Sequence, residues 1–223
     1  MPKTVAIVGH APSTRMLAPY DQGDVEIWTM NDSHGWGIPR VNRWFEIHHP
    51  DVYTNPGRRA SGYMDTLARF RGPVYMQYPD ERIPNAKPLP LKAMEERYGT
   101  VFGSSFAWMF CLAVEESFER IELYGCDLAD NTEYASQRES AGYWIGLARG
   151  RGIDVYLPPG CPILTRPSYG LVRQIGPLTN DMVSNRLAEI SKAMMDTNER
   201  AMLLRGMREE AAWWRSVIEG VGG

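Results

Sequence analysis

The feature that most constrains this chain is a short apolar run that stops abruptly at a glycine. Val5-Ala6-Ile7-Val8 gives way to Gly9-His10-Ala11-Pro12-Ser13-Thr14, where small and capping residues take over. A run this short and this continuously apolar reads as a strand covered on both faces, the kind found inside a parallel sheet. Gly9 is expected to turn the backbone at positive φ, and Ser13 or Thr14 to cap a following helix. Free N–H groups at such a helix start can hold a phosphate or carboxylate, although an ordinary strand-to-helix turn without a ligand carries the same residues.

The pattern repeats down the chain. Asp24–Met30 alternates and reads as a second strand, ending in the polar cluster Asn31-Asp32-Ser33-His34-Gly35. Arg43–Ile47 is a third strand, followed by His48-His49-Pro50-Asp51, and Val74–Gln77 a fourth. Residues 79–90 hold four prolines and are expected to form an irregular loop. Leu91–Tyr98 reads as a short helix. Gly103-Ser104-Ser105 heads the apolar run Phe106–Glu115, a buried helix with Ser104 or Ser105 at its N-cap. Arg120–Tyr124 and Ile153–Leu157 are further strands, separated by a polar connection from Asp127 and a helix over residues 139–149. Strands alternating with helices, without hairpin signals, predict an α/β fold: a doubly wound, mostly parallel Rossmann-like sheet spanning residues 1–175. Residues 176–223 are expected to form a C-terminal extension, a long helix or helical hairpin. Val183, Leu187, Ile190, Met194, Thr197, Ala201 and Leu204 advance by alternating steps of four and three, a heptad-like stripe. Such a helix is expected to pair with a second copy as a homo-oligomer, to fold back at Gly206, or to lie across its own sheet.

Composition narrows the class. A net charge of -3 supplies no global field for nucleic acid or acidic membrane. Cys111, Cys126 and Cys161 are too widely spaced for a zinc site or a disulfide framework, which fits a reducing, cytoplasmic setting. No window approaches the about 18 consecutive apolar residues of a membrane span.

In an open parallel sheet the ligand crevice lies at the carboxyl ends of the strands. The strand ends here supply Gly9, His10 and Ser13, then Asn31 and Asp32, then His48 and His49, and finally Asp127. Asn31 offers a donor and an acceptor to a base edge or ribose hydroxyl. His48 and His49 are candidate general bases, and adjacent histidines on an extended chain point apart, which disfavours a shared metal. Gly103, Ser104 and Ser105 form a second candidate anion cradle. Tyr134, Arg138 and Tyr143 are candidates for a phosphate or pyrophosphate. The turn at Gly9 lacks the glycines of a dinucleotide fingerprint, and no triphosphate-binding loop is present, which disfavours nicotinamide chemistry and P-loop phosphoryl transfer.

These motifs resemble a known family. Gly9-His10-Ala11-Pro12-Ser13 resembles the G-x-G-P-S turn of bacterial sialyltransferase-like proteins and the related motility-accessory-factor group, in which the second strand ends in Asn, as at Asn31. Their Ser-rich helix start, apolar helix and strand ending Gly-x-Asp are similar to Gly103-Ser104-Ser105 through Gly125-Cys126-Asp127. The likeness covers about residues 4–157, in motifs. The chain also resembles small proteins common in tailed-phage genomes, through Arg43–His48, Glu133–Arg138 and Gly146–Gly152. The family resemblance implies a nucleotide-sugar donor without a metal, nucleotide contacts from Gly9, Asn31, Ser104 and Ser105, and Tyr134 or Tyr143 near a phosphate. The phage resemblance implies a phage origin and little about chemistry; in a phage one acceptor would be a modified base in DNA, and Arg138, Arg149 and Arg151, if they share a face, would form a backbone-binding patch. Two departures stand out. His10 replaces the second glycine of the turn, and the family's base histidine lies late in the sheet, whereas all four histidines here precede residue 50. The base would therefore come from His48 or His49, and Asp127 is a further catalytic candidate. Without a competent base, the same crevice serves a non-catalytic nucleotide-binding or sequestering protein.

Overall fold

A computed structural model of the chain describes residues 2–55, 62–128, 131–164 and 180–221. Its contacts divide the chain into Met1–Arg166 and Pro167–Gly223.

The first unit is built on a seven-stranded parallel sheet. In chain order the elements are β1 (Thr4–Val8), α1 (Pro12–Arg15), β2 (Val25–Met30), β3 (Arg43–Glu46), α2 (Pro50–Tyr53), α3 (Tyr63–Arg69), β4 (Val74–Met76), β5 (Ala86–Pro88), α4 (Leu91–Tyr98), α5 (Ser105–Glu115), β6 (Arg120–Tyr124), α6 (Asn131–Gly150) and β7 (Asp154–Tyr156). The spatial order is β5-β4-β3-β2-β1-β6-β7. The chain winds outward from β1 to β5 and then crosses back to place β6 on the other side of β1. The reversal makes the gap between β1 and β6 the topological switch point, where ligands enter folds of this kind.

β1 is buried along its whole length because it feeds two cores. Val5 and Ile7 pack with Trp28, Phe45, Ile121 and Leu123 under α5 and α6. Ala6 and Val8 face the other way, with Val25, Ile27 and Tyr124. The opposite face of β3 and β4 is covered by Tyr53 of α2 and by Tyr63 and Leu67 of α3, two short helices with no clear sequence signal. α5 fulfils the expectation of a helix at the heart of the domain: from Phe106 to Val114 every residue is buried except Trp108.

Several expectations are corrected. Gly9 is not among the residues at positive φ. It is glycine because a Cβ there would stand 2.5 Å from the carbonyl oxygen of Gly125. Neither Ser13 nor Thr14 caps α1, whose N-cap is Ala11. The Thr14 hydroxyl instead accepts from Gly125 N at 2.8 Å, and the Ser13 hydroxyl donates to Asp127 Oδ2 at 2.6 Å. The proline-rich loop contains a strand: Ala86–Pro88 pairs in parallel with β4. Pro88 is tolerated because β5 lies at the sheet edge, where a missing N–H leaves no partner unsatisfied. α6 begins at Asn131, eight residues before the sequence pattern indicated.

The connection from β4 to β5 has no helix, and Asp80 shapes it. Its carboxylate accepts from Arg82 N at 3.0 Å and Arg82 Nε at 2.9 Å, and from the Tyr53 hydroxyl at 3.4 Å. Arg82 holds the Asp80 carboxyl down at about 2, while burial, with Asp80 beside it, pushes the Tyr53 phenol up to about 12. A depressed carboxyl contributes stability that is complete above its unfolded value and fades as pH falls through the folded one. The advantage of wild type over Asp80→Asn in thermal melts should therefore shrink from about pH 5 to pH 2. With Arg82 61% exposed, the effect is modest, and a gap that does not change with pH would remove Asp80 from the account.

The second unit is a single described helix, α7 (Asn180–Val221), 42 residues and therefore about 63 Å long. It does not fold back at Gly206. The apolar stripe reaches Leu204, takes a single step of three to Met207, and continues through Ala211 and Trp214. Such a step overwinds a coiled-coil seam locally without ending it. Leu187, Met194, Leu204, Met207 and Trp214 are exposed along it. No described helix is long and apolar enough to cross a membrane.

Candidate functional site

A cavity of about 680 Å³ opens at the switch point. It is built from the ends of β1, β2, β3 and β6 together with the start of α5. Its size lies within the about 300–1,000 Å³ of small-molecule sites.

The floor is the meeting of two glycines. Gly9 N donates to Tyr124 O at 2.7 Å and Ala11 N to Gly125 O at 2.9 Å, so the turns after β1 and β6 lie against each other. Gly125 sits at φ +63, and a Cβ on it would meet the carbonyl oxygens of Gly9 at 2.6 Å and Ala11 at 2.8 Å. The close approach places His10 and Asp127, on the two turns, on one cavity.

Aromatic rings line the cavity. His10, exposed, stacks on Trp36 with centroids 4.8 Å apart. Phe102 stacks on Trp108 at 3.6 Å and 5°. The segment carrying Phe102 and Gly103 is tied to α6 by Ser140, whose hydroxyl accepts from Gly103 N at 3.0 Å and donates to Val101 O at 2.6 Å. Flat aromatic faces take up a planar heterocycle at little conformational cost.

The polar lining is incompletely satisfied. Asn31 Oδ1, Ser104 Oγ and Asp127 Oδ1 are buried and have no hydrogen-bond partner among the described residues. Buried polar atoms in folded proteins are nearly always paired, and an orphan costs about 1–3 kcal/mol. Asn31 is also held in the left-handed region at φ 54, with its N–H donating to Phe45 O at 2.9 Å and its carbonyl accepting from Trp44 Nε1 at 2.8 Å. Ser104 occupies the N-cap of α5, yet its hydroxyl makes no capping bond, so the first-turn N–H groups are left without that partner. These groups offer acceptors at Asn31 and Asp127, and a hydroxyl beside a helix N-terminus at Ser104, a set matched to ribose hydroxyls and a phosphate.

His48 also lines the cavity, with its side chain 36% exposed. Its Nδ1 lies 2.5 Å from Oε1 of Glu46, a carboxylate that is completely buried.

The sequence-derived candidates divide accordingly. Gly9, His10, Asn31, Asp32, His48, Gly103, Ser104, Ser105 and Asp127 line one cavity. Ser13 is one step removed, holding Asp127. His49 is elsewhere: as a neutral ring it caps α2, its Nδ1 accepting from Asp51 N at 3.4 Å, and only when protonated would the same nitrogen pair with Asp51 Oδ2 at 3.1 Å. Arg138 does not reach the cavity lining and donates to Leu128 O at 2.5 Å. Arg149 donates to Val155 O and Arg151 to the Tyr98 hydroxyl, so the three arginines of the expected patch each hold a protein oxygen. Tyr143 is exposed on α6, edge-on to Trp144, outside the cavity lining. The side chain of Tyr134 lies outside the described residues. Glu46, Trp36, Phe102 and Trp108 were not among the candidates. A carboxylate in the apolar run Trp44–Ile47 is the one signal that could have exposed Glu46.

Among the described residues no cluster of three or more His, Cys, Asp or Glu side chains is arranged for a metal ion. Cys126 borders the cavity as a thiol, since burial pushes its ionisation upward, and it donates to Tyr124 O at 3.4 Å.

No protein-family model and no curated protein sequence matches the chain. Solved structures of a sialyltransferase, CstII from Campylobacter jejuni, are similar to it. The complex with cytidine-5'-monophosphate is 16% identical, covers 72% of this chain and 80% of that one, and superposes with a TM-score of 0.44. The complex with CMP-3FNeuAc is 15% identical over 71% and 80%, with a TM-score of 0.46. The complex with a trisaccharide acceptor and CMP is 14% identical over 72% and 82%, with a TM-score of 0.44. Similarity at this level says nothing about chemistry.

Proposed function

We propose that the cavity binds a nucleotide-sugar and that the protein transfers the sugar to an acceptor hydroxyl without a metal ion. The observation that carries the binding half is the trio of buried, unpartnered oxygens, Asn31 Oδ1, Ser104 Oγ and Asp127 Oδ1, on one cavity with stacked aromatic rings. In this reading Asn31 and Asp127 accept from base or ribose groups. The Ser104 hydroxyl and the start of α5 meet the phosphate charge, and His10–Trp36 or Phe102–Trp108 takes the base. His48 removes the acceptor proton; the acceptor oxygen forms a new bond to the anomeric carbon, and the bond from that carbon to the phosphate oxygen breaks, its electron pair leaving with the nucleotide. A histidine contributes about 10²–10⁴-fold in such a role.

A second reading, a nucleotide-binding protein without turnover, is favoured by the same unpartnered oxygens, because they offer contacts to a ligand and call for no reaction.

Thermal shift against a panel of nucleotides and nucleotide-sugars tests the binding. A ligand at a hundredfold excess over Kd adds about 2.7 kcal/mol, a rise of about 5–10 °C for a chain of this size. Asp127→Ala and Ser104→Ala should each weaken binding by about tenfold, one charge-assisted hydrogen bond. A flat response across the panel would reject both readings.

A further inference from the structure

We propose that Glu46 is a positioning residue: it locks His48 in the tautomer that carries its hydrogen on Nδ1, and Tyr63 locks Glu46. The proposal rests on the assignment of His48 to the acceptor proton, and its test does not depend on finding the substrate.

Glu46 ends β3 and has no solvent exposure. Its neighbours Trp44 and Phe45 are core residues, and an apolar side chain would pack there without any desolvation penalty. A buried carboxylate persists only where donors satisfy it. Three do so here. Oε1 accepts from His48 N at 3.1 Å and lies 2.5 Å from His48 Nδ1, while Oε2 accepts from the Tyr63 hydroxyl at 2.5 Å. Tyr63, only 2% exposed, comes from α3, and its ring lies 5.4 Å from that of His34. Both oxygens are thus fixed from opposite sides, one by the residue two positions on and one by a helix 17 residues away.

The spacing Glu46-x-His48 is what lets one carboxylate reach both the backbone N–H and the ring. Alternate residues of an extended chain lie on the same side. A neutral imidazole that donates from Nδ1 presents its acceptor lone pair at Nε2, the form a general base requires. Unconstrained imidazole favours the opposite tautomer, so the Glu46 carboxylate has a definite state to impose. If Glu46 served only to pin the chain after β3, its bond to His48 N would suffice and the ring would choose its own tautomer.

The test is two-dimensional ¹H–¹⁵N spectroscopy of the full chain at alkaline pH, with the His48 signals assigned by their loss in His48→Gln. Wild type should show a pyrrole-type Nδ1 and a pyridine-type Nε2. Glu46→Gln, which keeps an acceptor oxygen, should retain that pattern. Glu46→Leu should invert it to predominantly Nε2–H. Tyr63→Phe, which removes the hydroxyl that donates to Oε2, should give a mixture. An Nε2–H ring in wild type, or an unchanged ring in Glu46→Leu, overturns the proposal. Should Glu46→Leu fail to fold, the wild-type pattern decides alone. A protein that binds no nucleotide but shows Nδ1–H would retain the Glu46–His48 device and lose only the functional reading.

Discussion

Gly125→Ala is expected to lower the melting temperature by about 10 °C. The residue sits at φ +63, where a Cβ costs about 1–2 kcal/mol. The added carbon would also stand 2.6 Å from Gly9 O and 2.8 Å from Ala11 O. Both obstacles are backbone atoms, so no rotamer change relieves them, and forcing the turns apart adds about 1–3 kcal/mol. The sum, about 2–5 kcal/mol, corresponds to about 4–20 °C in a chain of this length. Gly9→Ala meets Gly125 O at 2.5 Å without the φ penalty and should cost somewhat less. Gly142→Ala and Gly146→Ala, on α6 with open space around the added carbon, are the controls. They should be neutral or stabilising by up to about 1 kcal/mol. Separating the two turns also moves Asp127, two residues on, so nucleotide protection should fall with the melting temperature. A Gly125→Ala protein that melts with wild type would mean that the two turns do not need their close approach.

The strands of this fold are legible because burial leaves a mark on sequence. Val5–Val8 and Ile121–Leu123 are continuous or near-continuous apolar runs, and β1 feeds a core on each face. β5 was not legible. An edge strand of three residues ending in proline has no apolar pattern, since one of its sides pairs with nothing. α2 and α3 were missed for a related reason: helices of four and seven residues are too short for a period to establish itself. The site inherits these limits. Residues directly after a strand, such as Asn31, His48 and Asp127, are visible as polar residues where an apolar run stops. Trp36, Phe102 and Trp108 look like core residues in the sequence, and only their incomplete burial separates them from it. Tyr63 could not be connected to Glu46 without α3. The two histidines after β3 illustrate the boundary most sharply. His48 and His49 are adjacent and chemically identical, and the extended chain sends one to a buried carboxylate at the cavity and the other to the N-cap of α2.

That divergence sets the second large effect. His48→Ala is expected to reduce sugar transfer by about 10²–10⁴-fold, measured as nucleotide release in the presence of acceptor. Nucleotide protection in thermal shift should stay within a few-fold of wild type, because the groups assigned to the nucleotide are Asn31, Ser104 and Asp127. A fall in kcat with KM little changed is the signature of a group acting in the transition state. His49→Ala should leave transfer intact and cost about 1 kcal/mol of stability through the lost cap. His10→Ala should do the reverse of His48→Ala, weakening nucleotide affinity by about fivefold through the loss of a stacked ring, with kcat retained. The three substitutions therefore separate three roles that one residue type could fill. If wild type binds nucleotide-sugar and releases nothing, the non-catalytic reading stands and His48 is a ligand contact. If His48→Ala transfers sugar at the wild-type rate, the proton acceptor is another group, and the Glu46–His48 pair is structural.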